Sequence, residues 1–161
     1  MGEQDENQKP IYKYHRKSTR LRGHDSSWTR AYFVTTRAKT LDPIFGIPAL
    51  HDILAETWKA LPQRFPGVTV DAFVIMPDHV HFIIWLNGLV KPAPTLGQVV
   101  GTYKSIVMVK WIRYCESAHI YNGGSFWLTR FNDEVIDSKA QLENIRRYIY
   151  NNPTMLDNRE G

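Results

Sequence analysis

The stretch VTVDAFVIMPDHVHFIIWL, residues 68–86, decides the fold. Two runs rich in β-branched and aromatic residues, 68–75 and 79–86, flank Met76-Pro77-Asp78. Such runs read as strands, and so short a connection makes them an antiparallel hairpin. Side chains i and i+2 of a strand point to one side. His79 and His81 therefore project together, and Val80 points to the opposite face. Val74-Ile75 before them and Phe82-Ile83-Ile84 after them make these strands central and buried, so two histidines here need partners. Two neutral imidazoles side by side supply half of a divalent-metal site. A pair of hydrogen-bonded sheet histidines is the competing reading.

Working outward, residues 31–36 (AYFVTT) read as a strand, and 41–48, with Pro43, Gly46 and Pro48, as a loop. Leu50, Ile53, Leu54, Trp58 and Leu61 recur at helical spacing, and Pro62 and Pro66 close that helix. Downstream, 88–94 is a loop. Thr95 caps a second helix with Leu96, Val99, Val100, Tyr103 and Val107 on its buried side, running to about Cys115. Asn122-Gly123-Gly124 is a turn, and 126–136 holds a fourth strand. Asp137 or Ser138 caps a last helix that runs to about Tyr150, with Leu142, Ile145 and Ile149 as its apolar face. The order β-α-β-β-α-β-α predicts an α+β fold: a ferredoxin-like βαββαβ antiparallel sheet with an added C-terminal helix. The open face of the sheet is one place for that helix to pack.

The last helix carries the second feature. Tyr148 and Asn152 share a face, and Gln141 and Asn144 continue it backwards. A tyrosine serves as a covalent nucleophile when its phenol is activated, and a carboxamide offers an oxygen ligand. A phenolate at neutral pH needs a nearby cation, because the free phenol titrates near pH ~10. A tyrosine half-buried against the sheet with its hydroxyl in water fits the same spacing. Arg146 and Arg147, beside Tyr148, suit a phosphate or an ordinary solvated helix surface. Tyr150 is turned about 200° from Tyr148, so both cannot face one site.

Composition narrows the class. A chain of 161 residues makes one domain, and 43% hydrophobic with 22% charged residues argues against disorder for most of it. No run approaches the ~18 apolar residues of a membrane span, so no membrane association is expected. The polar first residues read as no secretory signal. The single cysteine, Cys115, excludes a disulfide framework and a cysteine-ligated zinc site. A reducing, cytoplasmic setting is expected. No glycine-rich phosphate loop with a lysine, no His-Glu-x-x-His and no Gly-x-Ser-x-Gly is present. The net charge is +4 and the pI about 9.2. Lys9, Lys13, Arg16, Lys17, Arg20 and Arg22 are interleaved with Tyr12 and Tyr14 and free of acidic residues. That arm suits a polyanion, and a solvated tail equally. The expected organisation is a flexible basic arm over 1–15, one domain over 16–155 and a tail over 156–161.

These residues carry a resemblance. Met76-Pro77-Asp78-His79-Val80-His81-Phe82 resembles the Met-Pro-Asn/Asp-His-x-His segment of the REP-associated tyrosine transposases, which belong to the single-tyrosine His-hydrophobic-His (HUH) endonucleases. Tyr148-Ile149-Tyr150-Asn151-Asn152-Pro153 is similar to that family's Tyr-Ile-x-x-Asn-Pro. Arg20-Leu21-Arg22-Gly23-His24-Asp25 with Tyr32-Phe33-Val34-Thr35, the start of the second helix through Tyr103-Lys104-Ser105, and Phe126-Trp127 to Ile136 resemble further family segments. The likeness spans about residues 16–153. His24 stands where the family commonly has tyrosine, and Leu128, Thr129 and Glu134 replace a Gln-Arg pair and a histidine.

The resemblance implies that His79, His81 and Asn152 bind Mg²⁺ or Mn²⁺. It implies that Tyr148, on the added helix, attacks phosphorus to give a 5′-phosphotyrosine and a free 3′-hydroxyl. It implies single-stranded DNA with hairpins as partner, acted on by a monomer or homodimer associated with the nucleoid. Lys13, Arg16, Lys17, Arg20, Arg22, Lys104, Arg146 and Arg147 would then contact DNA. A domesticated nucleic-acid-binding module of the same fold without turnover is the alternative, and a phosphodiesterase using water is a third reading.

Overall fold

The computed structural model describes residues 29–152; the basic arm with Lys13, Arg16, Lys17, Arg20 and Arg22, and the C-terminal tail, lie outside the described residues. Strands β1 (Thr29–Arg37), β2 (Val68–Ile75), β3 (His79–Asn87) and β4 (Asn132–Ile136) form one antiparallel sheet in the order β2-β3-β1-β4. Helices α1 (Pro48–Lys59), a short α2 (Leu61–Arg64) and α3 (Leu96–Ala118) make the crossovers, and α4 (Lys139–Tyr150) follows β4. This is the expected ferredoxin-like layout with one added helix. The 68–75/79–86 hairpin forms where the pattern placed it, closed by a Met76 N–H to His79 carbonyl bond of 2.7 Å.

Strand periodicity gives the sheet two apolar faces. Val80, Phe82, Ile84 and Leu86 of β3 join Val34 and the α1 and α3 side chains Leu54, Trp58, Tyr103 and Val107. Ile83 and Trp85, at the intervening positions, join Ala31, Phe33 and Val74 beneath Leu142, Ile145 and Ile149 of α4. The added helix therefore fills the open face. Its three buried aliphatic side chains each stabilise that placement by roughly 1.5–3 kcal/mol. Thr95 caps α3 in a capping box with Gln98, and Ser138, not Asp137, caps α4.

Local departures have physical reasons. Pro62 does not simply end α1; it sits in the first turn of α2, where its missing N–H costs nothing. The loop at 41–48 contains a 3-10 turn, Ile44–Gly46. The strand expected across 126–136 forms a ladder only at Asn132–Ile136. Trp127 instead makes an isolated bridge to Ala38, with the Leu128 N–H donating to the Arg37 carbonyl at 2.9 Å. Among the described residues no helix is long and apolar enough to cross a membrane.

Candidate functional site: two histidines and a tyrosine across the open face

His79 and His81 point to the α4 face, as the two-residue period requires. Their ring centroids lie 4.7 Å apart at an interplanar angle of 79°. Each Nδ1 is tied back. Thr35 stands opposite His81 in the β1–β3 register, its hydroxyl oxygen 2.8 Å from His81 Nδ1. The Asp78 carboxylate accepts from His79 Nδ1–H at 2.8 Å. Among the described residues neither Nε2 has a hydrogen-bond partner. This is how a ring is oriented when its second nitrogen is to act as a ligand.

Electrostatics keep both rings neutral. Burial, then the neighbouring His79 and Arg37, push His81 down to about 3. Burial also lowers His79, with the Asp78 hydrogen bond opposing it. Stability should follow. The unfolded His81 takes a proton near its ordinary pH of ~6.5 and the folded one does not, so the His81 contribution is complete above that pH and is lost as pH falls toward 3. With a chelator present, urea unfolding should show a loss of about 2 kcal/mol from pH 7 to pH 5 assignable to this residue. A His81→Gln variant should lose that part of the slope.

The apolar face of α4 fixes its rotation, which leaves Tyr148 at the rim of the cluster. The Tyr148 ring meets His81 edge-on at 5.5 Å and Phe33 at 6.3 Å, and Phe33 itself stacks on His81 at 5.4 Å. Tyr150 is turned outward and 66% exposed, as helical geometry requires. Burial raises the Tyr148 phenol above its ordinary range, and the Arg37 guanidinium opposes that shift. A register irregularity between Val70 and Phe73 lies at Asp71, whose carboxylate reaches α4. It receives two hydrogen bonds from Arg146, at 2.9 and 2.6 Å, and one from Trp85 Nε1 at 2.9 Å. That ion pair ties α4 to the sheet two residues before Tyr148.

Other residues singled out by sequence fall differently. Arg146 is committed to Asp71. Lys104 donates to the Leu128 and Thr129 carbonyls at 2.6 and 3.5 Å and lies over the Trp127 ring, so it holds that loop. Arg147 reaches Asn144 at 2.9 Å on the exposed side. Gln141 does not extend the tyrosine face; it is buried, accepting from the Asp137 N–H and donating to the Val135 carbonyl of β4. The Asn152 amide donates to the Tyr148 carbonyl, and among the described residues it has no hydrogen bond to either imidazole. No three His, Cys, Asp or Glu side chains among the described residues converge to hold a metal. An ion here would take two imidazoles and a neutral oxygen.

Arg37, Thr35 and Asp78 were not singled out by sequence. Arg37 stands opposite His79 in the register, its Nη1 3.5 Å from Nδ1. Because Nδ1 gives its proton to Asp78, that approach is a charge lying beside the ring rather than a hydrogen bond. Arg37 makes no ion pair among the described residues. Asp78 was legible as the neighbour of His79; Thr35 and Arg37 depend on strand register, which no local pattern encodes.

The fold is shared with solved transposase structures. One is a REP-associated tyrosine transposase bound to a REP hairpin: TM-score 0.52, 16% identity, 77% of this chain aligned. The aligned part spans 66% of that structure's chain, just under two thirds. Another is a transposase candidate from Deinococcus radiodurans R1, with TM-score 0.53, 18% identity, and 86% of this chain and 98% of that one covered. An uncharacterized protein of Haemophilus influenzae is 28% identical, over 89% of this chain and 91% of its own length. The family described as "Transposase IS200 like" matches residues 50–152, and the chain belongs to that family. The matched segment contains His79, His81, Tyr148 and Asn152 but not β1, which supplies Thr35 and Arg37.

Proposed function

We propose that this protein cuts and rejoins single-stranded hairpin DNA, of the repetitive palindrome kind, through a 5′-phosphotyrosine at Tyr148. The observation that carries the reading is the Tyr148 ring lying against His81, with both Nδ1 atoms of the histidine pair held from behind. Family membership supports DNA as substrate, and the hairpin bound by the related structure supports the hairpin.

The donor set fits Mg²⁺ or Mn²⁺: two neutral, oriented imidazoles, with the Asn152 carboxamide oxygen as third ligand. The Asn152 bond to the Tyr148 carbonyl uses its nitrogen and leaves that oxygen available. When bound, such an ion supplies Lewis-acid polarisation of a phosphoryl oxygen.

The chain's own residues account for the rest. Tyr148 Oη forms a bond to phosphorus as the bond from phosphorus to the 3′ oxygen breaks. The phenol loses its proton and the leaving oxygen gains one. The phosphodiester is exchanged rather than hydrolysed, so a 3′-hydroxyl can reverse the step and join strands. Burial keeps the phenol protonated at rest, and Arg37 supplies positive charge where a phenolate and a scissile phosphate would form. Asp71 and Arg146 hold the helix that presents the tyrosine. Phosphates further along the strand fall to Arg147 and to Lys13, Arg16, Lys17, Arg20 and Arg22, whereas Lys104 and Arg146 serve the fold. Such a substrate places the protein at the nucleoid.

One observation favours a second reading, a binding module without turnover: the Tyr148 phenol is raised, not lowered. A denaturing gel separates the two. Labelled single-stranded hairpin DNA with Mn²⁺ should give a covalent band that does not form when EDTA is present from the start. Binding in a native gel with no covalent band across a broad set of hairpins would leave the binding module as the function.

A further inference from the structure

The chain leaving β1 runs on past the site. Arg37 ends the ladder with β3, opposite His79 and so on the α4 face. On its other side the chain then pairs once more. Ala38 bridges to Trp127, with the Leu128 N–H donating to the Arg37 carbonyl at 2.9 Å and the Lys39 N–H to the Phe126 carbonyl at 2.7 Å. That bridge sets the alternation. Ala38 and Trp127 are buried in the α1–α3 core. Arg37 and Leu128 therefore turn to the α4 face, and Lys39 follows Arg37 two residues on.

Arg37 and Lys39 are exposed, and Leu128, beside Arg37, is 43% exposed. Neither cation has an ion pair among the described residues. Arg130, also exposed, sits on the excursion 129–131 that separates Leu128, level with Arg37, from Asn132, level with Thr35. Lys104 pins that excursion through the Leu128 and Thr129 carbonyls. The nearby carboxylates are placed apart. Asp78 accepts from His79, and Asp42 lies beyond the turn at Thr40, whose hydroxyl takes the Asp42 N–H. Asp133 projects to the other face, and Glu134 stands deeper along β1, opposite Phe33.

Direction decides which arm of a DNA strand belongs here. Tyr148 touches the inner rings, His81 and Phe33, and further inward Leu142 and Ile145 cover the sheet. His79 and Arg37 stand one pleat nearer the end of the sheet, and Lys39 one pleat beyond them. A phosphate over the histidine pair is thus attacked from the inner side. Attacking and leaving oxygens lie roughly in line through phosphorus, so the 3′ oxygen departs outward, toward Arg37 and Lys39. By strand rise these two residues are about 7 Å apart, close to the step between neighbouring phosphates of an extended strand.

We propose that Arg37, Leu128 and Lys39 form a track for the leaving strand, the arm 5′ of the scissile phosphate. Lys39 holds its first backbone phosphate, and Leu128 packs against the sugar or base between. The inference rests on the phosphotyrosine reading and adds which arm of the substrate is held, and by what. As the bond from phosphorus to the 3′ oxygen breaks, that oxygen keeps the electron pair and takes a proton. The new 3′-hydroxyl end stays bound through Lys39, so the same end reverses the step before it diffuses away.

Two measurements test it. Fluorescence anisotropy on a single-stranded dT 12-mer reads the phosphate contact without any chemistry. In Lys39→Ala the slope of log affinity against log salt should become shallower by about 0.7. Lys59→Ala, with the same charge change at the far end of α1, should keep the wild-type slope. The second measurement uses hairpin DNA with single-stranded flanks and Mn²⁺, labelled at the 5′ end in one preparation and at the 3′ end in another. In Lys39→Ala the 5′-labelled product should leave the protein about tenfold faster, the loss of one charge-assisted hydrogen bond. The 3′-labelled covalent adduct should accumulate, because rejoining slows. A wild-type slope in Lys39→Ala, or unchanged release of the 5′-labelled arm, overturns the proposal. Absence of adduct from wild type, with the slope still lost in Lys39→Ala, would remove the phosphotyrosine reading and keep the phosphate contact; adduct with an unaltered slope would do the reverse.

Discussion

Tyr148→Phe should abolish the proposed covalent protein–DNA adduct and lower strand cleavage by at least about 10³-fold, the loss expected when the attacking atom is removed. The phenyl ring keeps its edge contacts with His81 and Phe33, and Leu142, Ile145 and Ile149 still fix the helix. Folding stability and hairpin affinity should therefore stay within about 1 kcal/mol and about twofold of wild type, respectively. Tyr150→Phe is the matched control. Its side chain points to solvent, so cleavage should change less than about twofold. Rapid-quench cleavage and a native-gel titration on the three proteins measure both quantities. Adduct in Tyr148→Phe, or its loss in Tyr150→Phe alone, would mean that the helix presents a different residue to the DNA.

His81→Gln should produce the second large effect, a loss of the proposed metal-dependent cleavage by more than about 100-fold. Removing a residue behind a ligand already costs about 10–100-fold in metal affinity or activity, so removing the ligand costs more. Glutamine keeps a polar group facing Thr35 and limits the cavity left in a site only 3% exposed. Thr35→Val tests the support separately. It leaves the imidazole but not its orienting partner, and Mn²⁺ affinity read by titration calorimetry should weaken about tenfold. Cleavage by His81→Gln at the wild-type rate and metal dependence would place the metal, or the chemistry, elsewhere.

The parts of this account legible in the sequence are those set by short-range patterns. His79 and His81 share a face because strand geometry allows nothing else, and the hairpin follows from a three-residue link between two β-rich runs. The apolar face of α4 was visible, and with it the outward turn of Tyr150. What was hidden depends on register and on which side chains find partners. Arg37 becomes a site residue only because it pairs with His79 across the sheet. Arg146 read as a free cation beside the tyrosine; the irregularity in β2 brings Asp71 up to take it. Lys104 met backbone carbonyls of a loop whose course no spacing rule gives. Gln141, spaced to lie on the tyrosine side, was drawn inward by backbone groups before its helix, the Val135 carbonyl of β4 and the Asp137 N–H of the link.

The most direct test of the central claim is the identity of the residue that holds the DNA. Adduct formed on a short labelled hairpin with Mn²⁺ can be nuclease-trimmed, digested with trypsin and sequenced by mass spectrometry. Cleavage after Arg147 releases the peptide 148–159, which carries both Tyr148 and Tyr150. The nucleotide mass is expected on Tyr148. Nucleotide on Tyr150 or any other residue, or cut DNA with no modified peptide, would contradict it.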